Sequence, residues 1–324
     1  MESMPVELLS VSGLSTYFYM RSGVVRAVEA VSLSLSRGRV LGLVGESGCG
    51  KTITGLSILN LVPNPGRIVA GKINFEGKDL LALPPEEMRR IRGSKISMIF
   101  QEPMTALNPV FTIGNQIAEV FTTHISISKK EALDRSLAVL KSVGIPSPEK
   151  TIRDYPHQLS GGMRQRVVIA MAIALRPDLV IADEPTTALD VTIQAHILDL
   201  LGRIQQEMGM ALILVTHDLG LIAERTHEVA VMYAGRIVEQ TDTKTLFADP
   251  LHPYTRGLMA SVPRPGQTRK VRLRTIPGTV PRLDELPAGC LFAPRCEGRM
   301  DICSRSPELT EIRPGHFVRC WAAR

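Results

Sequence analysis

The sequence predicts an α/β fold built on a mainly parallel sheet covered on both faces. Three observations lead to it. Short apolar runs at residues 40–44, 96–100, 179–182, 211–216 and 229–233 read as buried strands, and segments of helical period at 132–143, 162–175 and 193–208 separate several of them. Strands that alternate with helices are joined by crossovers, the connection parallel strands require. The run at 40–44 enters a glycine-rich turn and then a helix over 51–61, while shorter alternation at 6–11 and 27–35 marks antiparallel strands at one edge.

Composition bounds the function. A chain of 324 residues with 44% hydrophobic and 22% charged residues is an ordinary globular protein with room for one large core and a small appendage. No apolar run approaches the roughly 18 residues needed to cross a bilayer; the longest candidate, 167–175, stops at Arg176-Pro177-Asp178. The N-terminus lacks a basic segment followed by an apolar one, so no secretory signal is expected and the chain is placed in the cytosol. The net charge of +6 is uneven, with +7 on residues 251–324 and −1 on residues 1–250. That basic tail has few aromatics to stack bases, so a nucleic-acid partner is not expected.

Residues 103–160 read as a mostly helical insert within the α/β core, which as a whole spans 1–250. After His252 the sequence turns rich in proline and arginine, with Pro263, Pro265, Pro277, Pro281 and Pro287. This reads as a linker to a small domain, 251–324, that holds Cys290, Cys296, Cys303 and Cys320. Only Cys49 lies elsewhere.

Gly45-Glu46-Ser47-Gly48-Cys49-Gly50-Lys51-Thr52 follows a strand and opens a helix, the setting that identifies a phosphate-binding loop. Its glycines let successive backbone N–H groups face phosphate oxygens, helped by the helix N-terminus. Lys51 would contact the β- and γ-phosphates of a nucleoside triphosphate, and the Thr52 hydroxyl would coordinate Mg²⁺. Cys49 reads as a small residue tolerated in the loop; alternatively, its alkylation would block nucleotide entry and ATP would protect it. The run at 179–182 ends in Asp183-Glu184, where Asp183 would hold Mg²⁺ and Glu184 would orient or deprotonate the attacking water. Together the two motifs establish a nucleoside triphosphatase.

Further motifs stand in a fixed order around these two. Leu159-Ser160-Gly161-Gly162-Met163 precedes a helix, Gln101 and His217 each follow a strand, and Thr187-Ala188-Leu189-Asp190 follows the acidic pair. The set resembles the ABC ATPases over roughly residues 6–240, with Met163 where glutamine is commonest. The resemblance implies a P-loop core with an antiparallel β subdomain and a helical subdomain. It implies that Phe18 stacks on adenine (or neighbouring Tyr17 or Tyr19), and that Ser160, Gly161 and Gly162 face the γ-phosphate bound by an opposite subunit. It implies that His217 contacts the γ-phosphate and the water, that Gln101 senses Mg²⁺ or water and relays the state to membrane subunits, and that Asp190 lies along the dimer seam.

Longer stretches resemble the dipeptide and oligopeptide importer ATPases, whose features nickel importers share: residues 99–109, Tyr155-Pro156-His157-Gln158, His252-Pro253-Tyr254-Thr255 and the cysteine-bearing tail. The resemblance is greatest to the D-type subunit of the dipeptide group. It implies a second, related ATPase as partner, two transmembrane permeases, an extracytoplasmic peptide-binding protein, and a place on the cytoplasmic face of the cell membrane. The tail spacing C-x5-C-x6-C-x16-C lacks the short pairs of structural zinc sites. By resemblance it implies a [4Fe–4S] cluster, with zinc or reduced thiols as alternatives; Arg295, Arg299, Arg305 and Arg319 are expected to offset the cluster's negative charge. A DNA-repair-type ABC ATPase is the rival class, disfavoured because no long coiled coil separates the phosphate loop from Ser160.

Overall fold

The structure, a computed structural model, describes residues 6–187, 189–261 and 276–323. Pro263, Pro265 and the basic residues of the expected linker, and Ala188 of the motif at 187–190, lie outside the described residues. In chain order the first elements are β1 (Glu7–Met20), β2 (Gly23–Ser36), β3 (Val40–Val44), α1 (Lys51–Ile58), β4 (Gly66–Phe75), β5 (Lys78–Asp79), α2 (Pro85–Ile91) and β6 (Ile96–Ile99). A helical stretch follows: α3 (Pro103–Ala106), α4 (Ile113–His124), α5 (Lys129–Ser142), α6 (Pro148–Thr151) and α7 (Gly161–Ile173). Then come β7 (Leu179–Asp183), α8 (Val191–Met208), β8 (Ala211–Thr216), α9 (Leu219–Arg225), β9 (Glu228–Tyr233), β10 (Arg236–Asp242), α10 (Thr243–Ala248), α11 (Pro253–Ala260), β11 (Thr310–Arg313) and β12 (His316–Val318). Among the described residues no helix is long and apolar enough to cross a membrane.

The chain forms two compact units, one of residues 1–81 with 214–324 and the other of residues 82–213. The first contains an antiparallel sheet in the order β2-β1-β4-β5. β1 and β2 are 14 residues each, longer than the alternation at 6–11 and 27–35 suggests. Register shifts near Gly13 and Ala30, both at positive φ, break the period-two pattern that sequence reading relies on. In the same unit β3 pairs parallel with β9, β10 pairs antiparallel with β9, and β12 and β11 continue antiparallel outward. The parallel pairing expected of the buried strands is thus present, and three antiparallel strands extend it into a mixed sheet. Every residue of β3 is buried, as a strand covered on both faces demands.

The second unit pairs β6 parallel with β7 and surrounds them with α2 to α8. Its helices begin where side chains can take the orphan N–H groups: Thr112 caps α4, Ser128 caps α5 and Ser160 caps α7. α8 stops at Gly209, which takes the left-handed conformation without a side-chain penalty.

The tail corrects the expected domain plan. Residues 276–323 do not stand apart from the first unit: Leu291 and Phe292 enter a core with Val44, Val231, Tyr233 and Tyr254. Phe292 meets Tyr233 edge-on at 5.3 Å and Tyr254 at 5.5 Å. A segment this short, with so few apolar residues, gains more by sharing a core than by forming one. Buried Glu239 fixes the return of the chain: its carboxylate accepts from His316 Nε2 at 2.8 Å and from the N–H groups of Leu251 and His252.

His252 caps α11, its Nδ1 accepting from the Tyr254 N–H at 3.0 Å, and burial pushes its pKa down to about 3. The unfolded chain takes up that proton near the ordinary value of about 6.5. Stability from this site is thus complete above about pH 6.5 and falls as pH drops toward the folded value, by ~1.4 kcal/mol per pH unit. Thermal melts between about pH 7 and pH 5 are expected to show a smaller loss for His252→Asn, which keeps a capping acceptor, than for the unaltered chain. Parallel pH curves for the two would rule out His252 as the titrating group.

Candidate nucleotide site

The phosphate loop lies against backbone. A Cβ on Gly45 would come within 2.2 Å of the Met232 carbonyl oxygen, and one on Gly50, at φ +106, within 2.3 Å of the Ala27 carbonyl oxygen. Only glycine fits either position. Gly48 also has positive φ, and Ser47 and Gly48 are exposed. α1 begins at Lys51 with Gly50 as its N-cap and no side-chain cap, so its leading N–H groups suit an anion. Lys51 is 5% exposed, and its Nζ donates to the carbonyl oxygens of Gly45 and Glu46 at 2.8 and 3.1 Å. Thr52 follows it, half-buried, in the first turn. Cys49 is fully buried, and burial pushes its thiol pKa up. That packing favours the reading of Cys49 as a small structural residue and gives an alkylating reagent no direct approach.

Glu46 is held from the tail, an arrangement that sequence reasoning missed. Its N–H donates to the Tyr254 hydroxyl at 2.9 Å, and its carboxylate accepts from both terminal nitrogens of Arg295 at 2.7 and 3.0 Å. Arg295 is 6% exposed and lies over the Tyr233 ring at 5.7 Å. The expectation that Arg295 and Arg319 offset charge among the cysteines is thereby corrected: Arg295 pairs with the phosphate loop, and Arg319 donates to the carbonyl oxygens of Ile237 and Pro307. The His252-Pro253-Tyr254-Thr255 motif was a visible signal for Tyr254, though not for its task.

In the second unit Asp183 ends β7 and is 2% exposed. Glu184 follows at φ +44, a region that non-glycine residues enter at a cost. Its Oε2 accepts from Gln101 Nε2 at 3.1 Å and from Thr187 Oγ1 at 2.9 Å. The structure thus joins Gln101 and Glu184 and adds Thr187, which the sequence reading placed in the motif at 187–190 without a role of its own. Ser160, exposed, caps α7 by accepting from the Met163 N–H at 3.3 Å. Gly161 is exposed, while a Cβ on Gly162 would crowd Ile193 at 2.9 Å. Ser160 and Gly161 therefore present a hydroxyl and backbone at a helix N-terminus, a second anion-binding arrangement. An open groove of about 350 Å³ in the same unit is lined by residues including Phe100, Ala106, Gln116, Val120 and Met171.

His217, exposed, lies between the end of β8 and the start of α9, where Asp218 caps the helix. Phe18 is half-buried, with its ring against Gly66, whereas Tyr19 is 48% exposed and Tyr17 lies under the Arg26 guanidinium at 5.7 Å.

Cys290, Cys296, Cys303 and Cys320 line one small cavity, together with His252 and Trp321. Burial pushes the thiols of Cys290, Cys296 and Cys320 up. Among the described residues no three of His, Cys, Asp or Glu are grouped so as to hold a metal ion, so the expected cluster finds no preformed set of ligands.

Comparison with known proteins agrees with this geometry. Residues 28–187 match the ABC transporter family, and residues 238–303 match the oligopeptide/dipeptide transporter C-terminal region. The chain is 52% identical to the probable peptide ABC transporter ATP-binding protein y4tR of Sinorhizobium fredii, over 97% of this chain and 94% of that one. It is 48% identical to the dipeptide transport ATP-binding protein DppD of Escherichia coli, over 97% of this chain and 96% of that one. The dimeric ATP-binding cassette MJ0796, solved with ADP and Pi, superposes with a TM-score of 0.66 at 26% identity, covering 73% of this chain and 99% of that one. An uncapped helix behind a glycine cradle, an acidic strand end and an extended likeness that includes the tail lead to one conclusion: the chain belongs to the ABC transporter ATPases, as an ATP-binding subunit of the oligopeptide/dipeptide importer family.

Proposed function

We propose that this subunit hydrolyses ATP to power import of di- and oligopeptides through a membrane transporter. The observation that carries the reading is the likeness to peptide-import ATP-binding proteins along 97% of the chain, tail included. The phosphate loop, a cradle that a Cβ at Gly45 or Gly50 would fill, suits the triphosphate of ATP. Lys51 binds its β- and γ-phosphates; Thr52, Asp183 and Gln101 offer the oxygen ligands Mg²⁺ prefers. Glu184 orients or deprotonates the attacking water, steadied by Gln101 and Thr187, and His217 contacts the γ-phosphate. Phe18, or Tyr17 or Tyr19, stacks on adenine. Ser160, Gly161 and Gly162 serve the nucleotide of a second, related ATPase, so one chain completes neither site.

The groove beside Phe100 supports the reading that a permease docks there. It places an apolar, partly exposed lining next to Gln101, and Gln101 touches Glu184. Two permeases and an extracytoplasmic peptide-binding protein complete the assembly, with this chain at the cytoplasmic face of the cell membrane. The tail supports a [4Fe–4S] reading as well. What supports that reading is that Cys290, Cys296, Cys303 and Cys320 all line one cavity.

Three outcomes test these assignments. Glu184→Gln is expected to retain ATP binding while ATP turnover falls about a hundredfold or more; rapid turnover would remove Glu184 from its role. Anaerobic purification is expected to give a brown protein containing iron and sulfide, and a colourless, iron-free preparation would exclude the cluster. Affinity capture from gently solubilised membranes is expected to bring down two permeases and a sister ATPase; recovery of DNA or ribosomes instead would defeat the transport assignment.

A further inference from the structure

We infer that Arg295 and Tyr254 form a brace by which the C-terminal tail positions the phosphate loop for nucleotide. The inference rests on nucleotide binding at residues 45–52 and is independent of the peptide cargo and of any cluster. Glu46 is an electrostatic liability where it stands, because a carboxylate inside a phosphate-binding loop repels the ligand it helps to enclose. Arg295 answers that charge with a two-pronged ion pair, at 2.7 and 3.0 Å, from a guanidinium whose side chain is only 5% exposed. The planar fork fixes the direction of the Glu46 side chain as well as its charge.

Tyr254 acts on the backbone of the same residue. Its hydroxyl accepts the Glu46 N–H at 2.9 Å, and so takes up a donor that would otherwise be free to swing as the loop moves. The ring cannot shift easily, since it is fully buried and packs on Tyr233 at 4.7 Å and Phe292 at 5.5 Å. Arg295 is anchored in turn, with its Nε donating to the Pro277 carbonyl oxygen at 2.9 Å. Both contacts reach Glu46 across more than 200 residues of sequence, so the loop's shape depends on a segment outside the ABC-matching region at 28–187. These two side chains are positioning residues: they touch the loop and not the nucleotide.

The test is equilibrium binding of Mg²⁺-ATP to the full-length chain, with melting temperature recorded for each variant and Lys51→Ala as the reference for lost binding. Arg295→Met is expected to weaken ATP binding by about tenfold, because Glu46 is then left charged and unheld. Adding Glu46→Gln to that variant is expected to restore most of the affinity, a rescue that a general packing defect would not show. Tyr254→Phe, which removes only the hydroxyl, is expected to weaken binding by about threefold with little change in melting temperature. In the assembled transporter the losses should appear in KM for ATP and leave kcat at saturating ATP nearly unchanged. Binding by Arg295→Met within about twofold of the unaltered chain, or no rescue by Glu46→Gln, overturns the inference. Should Arg295→Met fail to fold, Arg295→Lys takes its place, and ATP affinities of this variant and Tyr254→Phe equal to the unaltered chain overturn it likewise. If the unaltered chain itself binds no ATP, it is the phosphate-loop reading that fails.

Discussion

The structure turns on a loop that lies against backbone at its two bends and leaves no room for side chains there. Gly45 is pressed toward the Met232 carbonyl and Gly50 toward that of Ala27, each closer than any Cβ could tolerate. The loop can therefore hold this curl only with the neighbouring strands in place. β3 delivers the chain to Gly45, and parallel pairing with β9 sets how near Met232 lies. The aligned N–H donors at the start of α1 follow from that curl. Their value for binding an anion comes from geometry fixed in advance, so little ordering remains when phosphate arrives.

Charge in the loop follows the same logic. Lys51 bridges the carbonyl oxygens of Gly45 and Glu46, which keeps its ammonium within the loop instead of in solvent. Glu46 brings the opposite charge and would cancel part of that benefit if it were unpaired. Pairing with Arg295 leaves the loop's positive character to Lys51 and the helix N-terminus. In the other unit Glu184 meets a related difficulty by a different route. It occupies a left-handed backbone conformation that costs energy, and hydrogen bonds from Gln101 and Thr187 hold its carboxylate in place.

Legibility in the sequence tracks how local each signal is. β3, β7 and the phosphate loop were plain, because fully buried strands are unbroken apolar runs and the loop's requirements fall within eight residues. β4 was invisible: its outward positions are exposed, and Gly71 interrupts what alternation it has. The long reach of β1 and β2 was hidden by the shifts near Gly13 and Ala30. The tail was least legible. Its last strand pairs with β10, its buried histidine meets Glu239, and Arg295 meets Glu46, and none of these partners is near in sequence. Arginines among cysteines invite an explanation from their neighbours, and only the three-dimensional path shows that Arg295 points elsewhere.

That path gives the tail a physical reason to stay attached to an ATPase core. A core of Tyr233, Tyr254 and Phe292 joins strand β9, helix α11 and the cysteine-bearing segment, so displacing any one exposes large aromatic area. Cys290 lies two residues before Phe292, and Cys296 directly follows Arg295. The cysteine cavity and the Glu46 contact are thus two faces of one short piece of chain. Movement of that piece changes the packing on Tyr254 and the fork on Glu46 together, since a close-packed interior passes on small displacements instead of absorbing them. The nucleotide loop and the tail are in this sense a single mechanical element, closed by one ion pair and one hydroxyl.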